Sequence, residues 1–298
     1  MPQVTPSFMR AFSVGVDARF NQRFAAIQPT YQRFSMVVNS TTRENAYPKL
    51  SELPGIREWI GDRVVHSLSA SSFTIVNKTY EETLGISRED IEDDQFSLFN
   101  TSVDMLAQDA AEFPDLLTYG LLKRGNVEKC SDGQYFFDTD HQTYDASGAV
   151  VSASNFGGGT GTPWYLFDVS RPLRPMIFQN RRSFQLTAKT ALDDDNVFKA
   201  REFQWGTDGR CNVGFGPWQL AYMSRQPLTA ANYEAARAAM ASRRRPNGTP
   251  IAILPNLLVV PGTLEGDGRR LINSENLPNG ESNPWKGSAE LLVAAQLG

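Results

Sequence analysis

Residues 87–125 read SREDIEDDQFSLFNTSVDMLAQDAAEFPDLLTYGLLKRG, and the periodicity of this stretch decides how the remainder of the chain is read. Val103, Leu106, Ala110, Phe113, Leu117 and Leu121 recur at three- and four-residue steps and share one helical face, whereas Asp104, Asp109, Glu112 and Asp115 fall off it. The spacing predicts one long helix. Ser87 and Asp90 form a Ser-x-x-Asp start signal whose hydroxyl and carboxylate can satisfy first-turn amides. Glu89, Asp90, Glu92, Asp93 and Asp94 suit the positive end of a helix dipole. With no histidine, turn glycine or calcium-loop spacing beside it, this acidic run does not predict a metal site. Pro114 removes one backbone donor inside the pattern and predicts a kink.

Upstream of the helix, Arg63–Leu68 and Phe73–Leu84 are rich in β-branched and aromatic residues and are separated by the turn signal SASS, which predicts a long hairpin. An isolated two-stranded hairpin is marginal in water. Val64, Val65, Phe73, Ile75, Val76 and Tyr80 therefore need cover from elsewhere in the chain or from another subunit. Before the hairpin, RENAYPKLSELPGIREWIGDR (residues 43–63) is broken by Pro48, Pro54 and Gly55 and reads as an extended arm anchored by Tyr47 and Trp59. Between Phe8 and Phe34, Phe12, Phe20, Phe24, Ile27, Tyr31 and Phe34 lie at helix-like spacings with Arg10, Arg19, Arg23 and Arg33 among them. One or two short amphipathic helices are expected, interrupted at Gly15 and Pro29. Its few charges favour packing on a neighbouring surface over membrane or nucleic-acid contact.

Downstream, the pattern changes to short strands and loops. Trp164–Val169, Pro175–Ala188, Val197–Trp205 and Arg210–Tyr222 read as strands of an antiparallel sheet. The tract ASNFGGGTGTP (residues 153–163) lacks the order and lysine of a phosphate loop and reads as a mobile loop. Thr229 caps an alanine-rich helix ending in Arg243, Arg244 and Arg245, which complement the helix dipole. Leu257–Val260 reads as a buried strand, Leu264–Ile272 as a helix and Glu290 onward as a last strand, which gives the section from Leu228 an α/β character.

The chain has 298 residues, a formal net charge of -4, two cysteines and two histidines. That charge argues against a protein whose main task is gripping nucleic acid. Cys130 and Cys211 form no CxxC and suggest neither a disulfide framework nor a thiolate zinc site, which fits a reducing cytosol. The start shows no basic-then-apolar leader, and no apolar run approaches the roughly 18 residues needed to span a bilayer. His66 reads as a plain strand residue. The best candidate for chemistry is Asp138, Asp140 and His141, since two aspartates at alternate strand positions point the same way and the histidine could join them at a metal. The ligand set is incomplete, and a turn held by aspartate-to-backbone bonds explains the same residues. No hydrolase, kinase, dinucleotide or metalloprotease motif is present. The sequence therefore assigns no catalytic, cofactor-binding or metal-binding residue and reads as structural rather than enzymatic.

Several stretches together carry a family resemblance: AYPKLSELPGIREWIGDR, FTIVNKTYEETLGISREDIEDD, CSDGQYFFDTDH, GTPWYLFDVSRPLRPMIFQ, NVGFGPWQLAYMSRQPLTAANY and NPWKGSAELLV. The chain resembles the major head (capsid) subunits of Mu-like phages and prophages. The resemblance implies an α+β fold of the Hong Kong 97 type. Residues 1–61 would be an N-terminal arm, 62–86 an extended hairpin loop and 87–125 the spine helix of a peripheral domain. Residues 126–162 would be an axial-domain or loop segment, 163–227 the peripheral sheet, and 228–298 the axial domain with the final strand. It further implies self-assembly through hexamers and pentamers into an icosahedral head around double-stranded DNA, in a virion assembled in the bacterial host cytoplasm. Expected partners are other copies of the chain, portal and scaffolding proteins, a possible decoration protein and non-specifically contacted DNA, with no membrane. The fold's founding member cross-links its subunits through lysine and asparagine; Asn77 and Lys78 lie in the loop, but no matching site is evident, so non-covalent shells are expected. The alternatives are a nanocompartment shell of the same fold and a cytosolic metal-dependent hydrolase using Asp138, Asp140 and His141.

Overall fold

The computed structural model describes residues 4–48, 72–93, 96–276 and 280–298. Helix α1 (Pro6–Ala26) begins where the Thr5 side chain accepts the Phe8 N–H and proline occupies the first turn, where its missing donor costs nothing. Contrary to the expected interruption, the helix runs through Gly15 and ends before Pro29. It is held by what it packs against rather than by propensity: Met9, Val16 and Phe20 are buried with Phe99, Val103, Leu106 and Trp205 in one core. A single 3-10 turn at Tyr31–Arg33 then leads into strand β1 (Ser35–Asn39).

Strand β2 (Glu44–Pro48) pairs antiparallel with β3 (Ser72–Val76), and β4 (Lys78–Ser87) pairs elsewhere, with the later strand that includes Cys211. The expected hairpin is therefore not found in that form. Arg63–Leu68, with Val64, Val65 and His66, lies outside the described residues, and Phe73–Leu84 is two strands serving two different sheets. Their apolar side chains are largely covered within the chain. Phe73 and Ile75 pack with Tyr47 and Ile177, and Tyr80 meets Phe113 at 4.6 Å between ring centroids, whereas Val76 remains largely exposed.

The Ser87 hydroxyl accepts the Asp90 N–H and caps a short helix, α2 (Arg88–Glu92), after which α3 (Phe96–Lys123) forms the spine. The predicted single helix is thus split near its start. Helix α3 continues through Pro114, with the Thr118 hydroxyl donating to the Pro114 carbonyl at 2.8 Å. Val103, Leu106 and Ala110 sit in the core shared with α1, Phe113 and Leu117 pack against Tyr31 and Phe178, and Tyr119 and Leu122 enter a central core with Phe34 and Phe167.

The expected single antiparallel sheet is two sheets. Strands β5 (His141–Tyr144) and β6 (Val150–Ala153) pair with each other as a separate hairpin ahead of its first strand, β7 (Trp164–Phe167). The 14-residue strands β8 (Met176–Lys189) and β9 (Glu202–Phe215) are separated by α4 (Asp195–Ala200), so the first half of the predicted strand Val197–Trp205 is helical. Arg201 takes a left-handed conformation (φ 55°) where α4 ends. One sheet has the order β1-β8-β9-β4, with β1 parallel to β8, and α3 covers it. The other has the order β10-β7-β11-β12, built from β10 (Ala221–Ser224), β11 (Leu257–Val260) and β12 (Glu290–Val293) around β7. The reason lies in side-chain pattern. Strand β9 alternates buried and half-buried positions, as a sheet with one covered face requires, while every residue of β7 is buried, as a strand sandwiched between two layers requires. Helices α5 (Ala230–Ala241) and α6 (Glu265–Asn273) supply one of those layers and the central core the other.

The glycine tract is likewise not a free loop. Gly157 and Gly161 donate to Met223 and Arg225, and Arg225 donates back to Gly158, which stitches the tract to the end of β10. At Gly159, φ is 91° and an added Cβ would lie 2.5 Å from the Arg225 backbone, so only glycine fits.

Truncating Leu106, 1% exposed, to alanine is expected to cost about 2–5 kcal/mol, while Leu116→Ala on the solvent side costs less than about 0.5 kcal/mol. Urea unfolding of the unassembled subunit separates the two; equal losses would contradict the packing of α3 described above.

Candidate functional site

The side chains with a structural task lie along α3, and they tie the arm to it. Arg19 on α1 donates through Nε to the Asn100 carbonyl and to Asp104 Oδ1 at 2.8 Å, and its Nη2 also meets that carboxylate. Arg23 Nη2 donates to Gln108 Oε1 at 2.6 Å. These contacts are exposed and contribute little individually. The contact made by Asp115 differs. Expected off the apolar face, Asp115 is buried, and its two oxygens accept the Thr30 N–H at 2.9 Å, the Thr30 hydroxyl at 3.1 Å and the Tyr31 N–H at 2.6 Å. The carboxylate acts as a cap supplied from another helix, satisfying the amides of the turn that redirects the arm into β1. Tyr119 completes the knot, its hydroxyl 2.8 Å from that of Thr30, and burial pushes its phenol pKa up.

A third side of α3 carries Leu98, Met105 and Leu116, which are 70%, 61% and 63% exposed. Their separations of seven and eleven residues are close to whole numbers of helical turns, so they form one stripe. Beside it runs a groove of about 410 Å³ with an apolar floor of Tyr80, Phe113 and Phe184 and an acidic rim of Glu81, Glu82 and Asp109. Burial, followed by the charges of Asp109 and Glu81, raises the Glu82 carboxyl pKa.

The predicted chemical cluster is rearranged. Asp138 accepts the Thr139 and Tyr135 amides, as a turn aspartate does, and Asp140 is exposed. Neither is hydrogen-bonded to His141. The alternation argument for the pair presumed a strand, but β5 starts only at His141. His141 instead meets Asp132, Nδ1 to Oδ2 at 2.7 Å, while Cys130 Sγ lies 3.1 Å from the other oxygen of the same carboxylate. Burial would raise the Asp132 pKa, but the hydrogen bonds from His141 and Cys130 outweigh it and hold the group below the usual carboxylate range. Burial, with the Asp132 charge adding to it, pushes the Cys130 thiol up. Sequence spacing offered one clue to Asp132, the turn signal Ser131-Asp132-Gly133 beside a cysteine.

Arg243 also departs from expectation. It does not face solvent at a helix end but is 2% exposed, 5.0 Å over the Trp218 ring, with Nη2 donating to the Ser154 carbonyl at 2.5 Å. Burial lowers its pKa to about 10. His141 stacks on Trp218 at 4.1 Å and 9°.

Among the described residues, these contacts form a set of internal ties with an apolar stripe left outside. Residues 9–297 match the family described as "Mu-like prophage major head subunit gpT". The chain belongs to that family. It is 37% identical to the major capsid protein of Escherichia phage Mu, over 99% of each chain, and 36% identical to the Mu-like prophage FluMu major head subunit of Haemophilus influenzae, over 92% of each. Among solved structures, the bacteriophage JBD30 procapsid matches with a TM-score of 0.85 at 39% identity, covering 98% of this chain and all of that one. The JBD30 capsid matches with a TM-score of 0.78 at 28% identity over the whole of both chains. The head subunit thus has the α+β phage-capsid fold of the Hong Kong 97 type and is a structural protein rather than an enzyme. The knot at Asp115 and the exposed stripe are features of a major head subunit, a component of the virion.

Replacing Asp115 with alanine strands two backbone donors and is expected to destabilise the head subunit by about 3 kcal/mol or more. Asp115→Asn, which keeps one acceptor, should cost distinctly less. Thermal melts of the two variants would decide it, and an Asp115→Ala subunit as stable as the parent would remove the cap from the account.

Proposed function

We propose that this head subunit assembles through hexamers and pentamers into a closed icosahedral shell around double-stranded DNA. The observation that carries the reading is the match to the phage Mu major capsid protein over 99% of both chains. Portal and scaffolding proteins would act during assembly in the host cytoplasm. A JBD30 capsid decorated with minor capsid protein trimers also matches, with a TM-score of 0.75 at 29% identity over 90% of this chain and 91% of that one. Decoration of this shell by a comparable partner is part of the proposal. Among the described residues no helix is long and apolar enough to cross a membrane. The net charge of -4 suits a container, since a strongly basic lining would hold the packaged genome tightly.

Within the subunit, the arm would end earlier and the extended loop begin earlier than the division at 61 and 62 implies. Strands β2 and β3 pair in register from Glu44↔Val76 to Pro48↔Ser72 and would form the stem of that loop. Residues 44–76 are therefore the proposed extended loop, and β4 belongs to the peripheral sheet through its ten-residue ladder with β9. The α3 layer and β1-β8-β9-β4 make the proposed peripheral domain. The β10-β7-β11-β12 sheet with α5 and α6 would make the axial domain, to which Trp164–Phe167 and Ala221–Ser224 would then belong. Non-covalent contacts hold the shell in this reading. Asn77 is buried, donating to Ser40 and Thr42 and accepting from Gln179, so its amide is committed inside the subunit.

Co-expression with the phage assembly partners, viewed by electron microscopy, should give closed shells or capsomers; a compact monomer would refute the assembly reading. Deleting residues 50–70 while closing the β2–β3 stem with a short turn is expected to preserve the circular-dichroism spectrum and abolish shells. Normal shells from that deletion would show that the loop is dispensable.

A further inference from the structure

We propose that Cys130, Asp132 and His141 form a binding site for a zinc-type divalent transition metal that staples the turn after the spine helix to strand β5. One donor atom from each residue lies within 4.8 Å of the other two. Tetrahedral zinc with its usual bond lengths places neighbouring donors about 3.3–3.6 Å apart; the two Asp132 contacts, which run to different oxygens of the carboxylate at 2.7 and 3.1 Å, would open, and donors near the 4.8 Å limit would close by about 1 Å, within reach of side-chain rotation. The donor set itself selects the metal class. A thiol, an imidazole and one carboxylate suit zinc and its neighbours, whereas magnesium and calcium require oxygen donors.

The donors are held in place before any metal arrives. Cys130 and Asp132 are presented by one tight turn, in which Gly133 N–H donates to the Cys130 carbonyl, Cys130 N–H to the Gln134 carbonyl and Gln134 N–H to Asp132 Oδ1. Gly133 has a φ of 89°, a left-handed conformation that glycine adopts freely. The third donor comes from the first residue of β5, with its ring fixed in a fully buried stack on Trp218. His141 Nε2 is buried with no partner, and Nδ1 is the nitrogen that faces Asp132. Ring orientation, which a metal site usually controls by a hydrogen bond to the second nitrogen, is controlled here by the indole. The Asp132 side chain, 26% exposed, gives the site an open side, where water can complete the coordination.

Uptake of one Zn²⁺ at Nδ1 moves the ring proton that faces Asp132 from Nδ1 to Nε2 and releases the Cys130 thiol proton to solvent. No redox step is involved. The consequence is mechanical: Phe136 and Phe137 lie between the two ends of the staple and enter the central core, with Phe136 stacked on Phe215 and Phe137 against Tyr165. Closing the loop from Cys130 to His141 therefore fastens the segment joining the spine to the second sheet.

The test uses the full-length chain, stripped with a chelator and dialysed against Zn²⁺, with Co²⁺ as a spectroscopic substitute. The expected result is one metal per subunit, a sulfur-to-cobalt charge-transfer band and a higher melting temperature with Zn²⁺. Cys130→Ala and Asp132→Asn should each bind at least about 100-fold more weakly and lose the Zn²⁺-dependent melting shift, while their metal-free melting curves report whether they fold. Absence of stoichiometric binding by the parent chain overturns the proposal, and so does equal binding by Cys130→Ala or a cobalt spectrum without the thiolate band.

Discussion

The burial of the Asp115 carboxylate against the Thr30–Tyr31 turn is the contact on which the rest of the subunit depends. A buried carboxylate is tolerable only when its lone pairs are filled, and here backbone amides fill them. Those amides belong to the point where the arm stops running along α3 and turns into β1. Fixing that point fixes the parallel pairing of β1 with β8, from Ser35↔Met176 onward, and so the edge of the sheet that α3 covers. One residue downstream of Pro114, the same contact also pins the spine where its backbone ladder lacks a donor.

Helix α3 matters because it passes through three hydrophobic clusters in sequence. Its first half is shared with α1, its middle with Tyr31 and Phe178, and its last turns with the core beneath the second sheet. A rigid element common to all three couples the two sheets, since neither can shift without disturbing close-packed side chains on the other. Phe34 shows this locally: it is stacked 5.4 Å from Phe167 of the second sheet and lies 5.2 Å from Tyr119 of the spine.

The parts of this architecture that were legible in the sequence are those governed by local periodicity. The apolar face of α3, the Ser87 and Thr229 caps and the strand Leu257–Val260 each follow from residues within a few positions of one another. Non-local pairings were not legible. Asp115 reads as a solvent residue because its partners lie 85 positions away, and Trp164–Phe167 reads as a strand without revealing which sheet receives it. The cluster at His141 failed for a related reason. Asp140 is adjacent in sequence, yet the turn at Gly133 brings Asp132 to the ring instead. Gly15 does not break α1, since the destabilisation of about 1 kcal/mol from one glycine is small beside the burial of Met9, Val16 and Phe20.

The energetics of the exposed stripe explain why such a subunit belongs in a closed assembly. Leu98, Met105 and Leu116 would each gain about 1–2 kcal/mol on being covered, given how much of each is exposed. The three together fall short of or barely match the cost of immobilising a free partner, about 4–15 kcal/mol. Charge does not make up the difference: subunits of net charge -4 repel one another weakly, and salt screens that repulsion beyond about 8 Å. A pairwise contact through this stripe is therefore marginal. In a shell the loss of freedom is incurred once per subunit, while apolar contacts are made with several neighbours and add. Weak individual contacts also let a misplaced subunit leave before the shell closes around it. A subunit whose ionic ties and polar knots are spent internally, with modest apolar surface outside, suits that kind of reversible assembly.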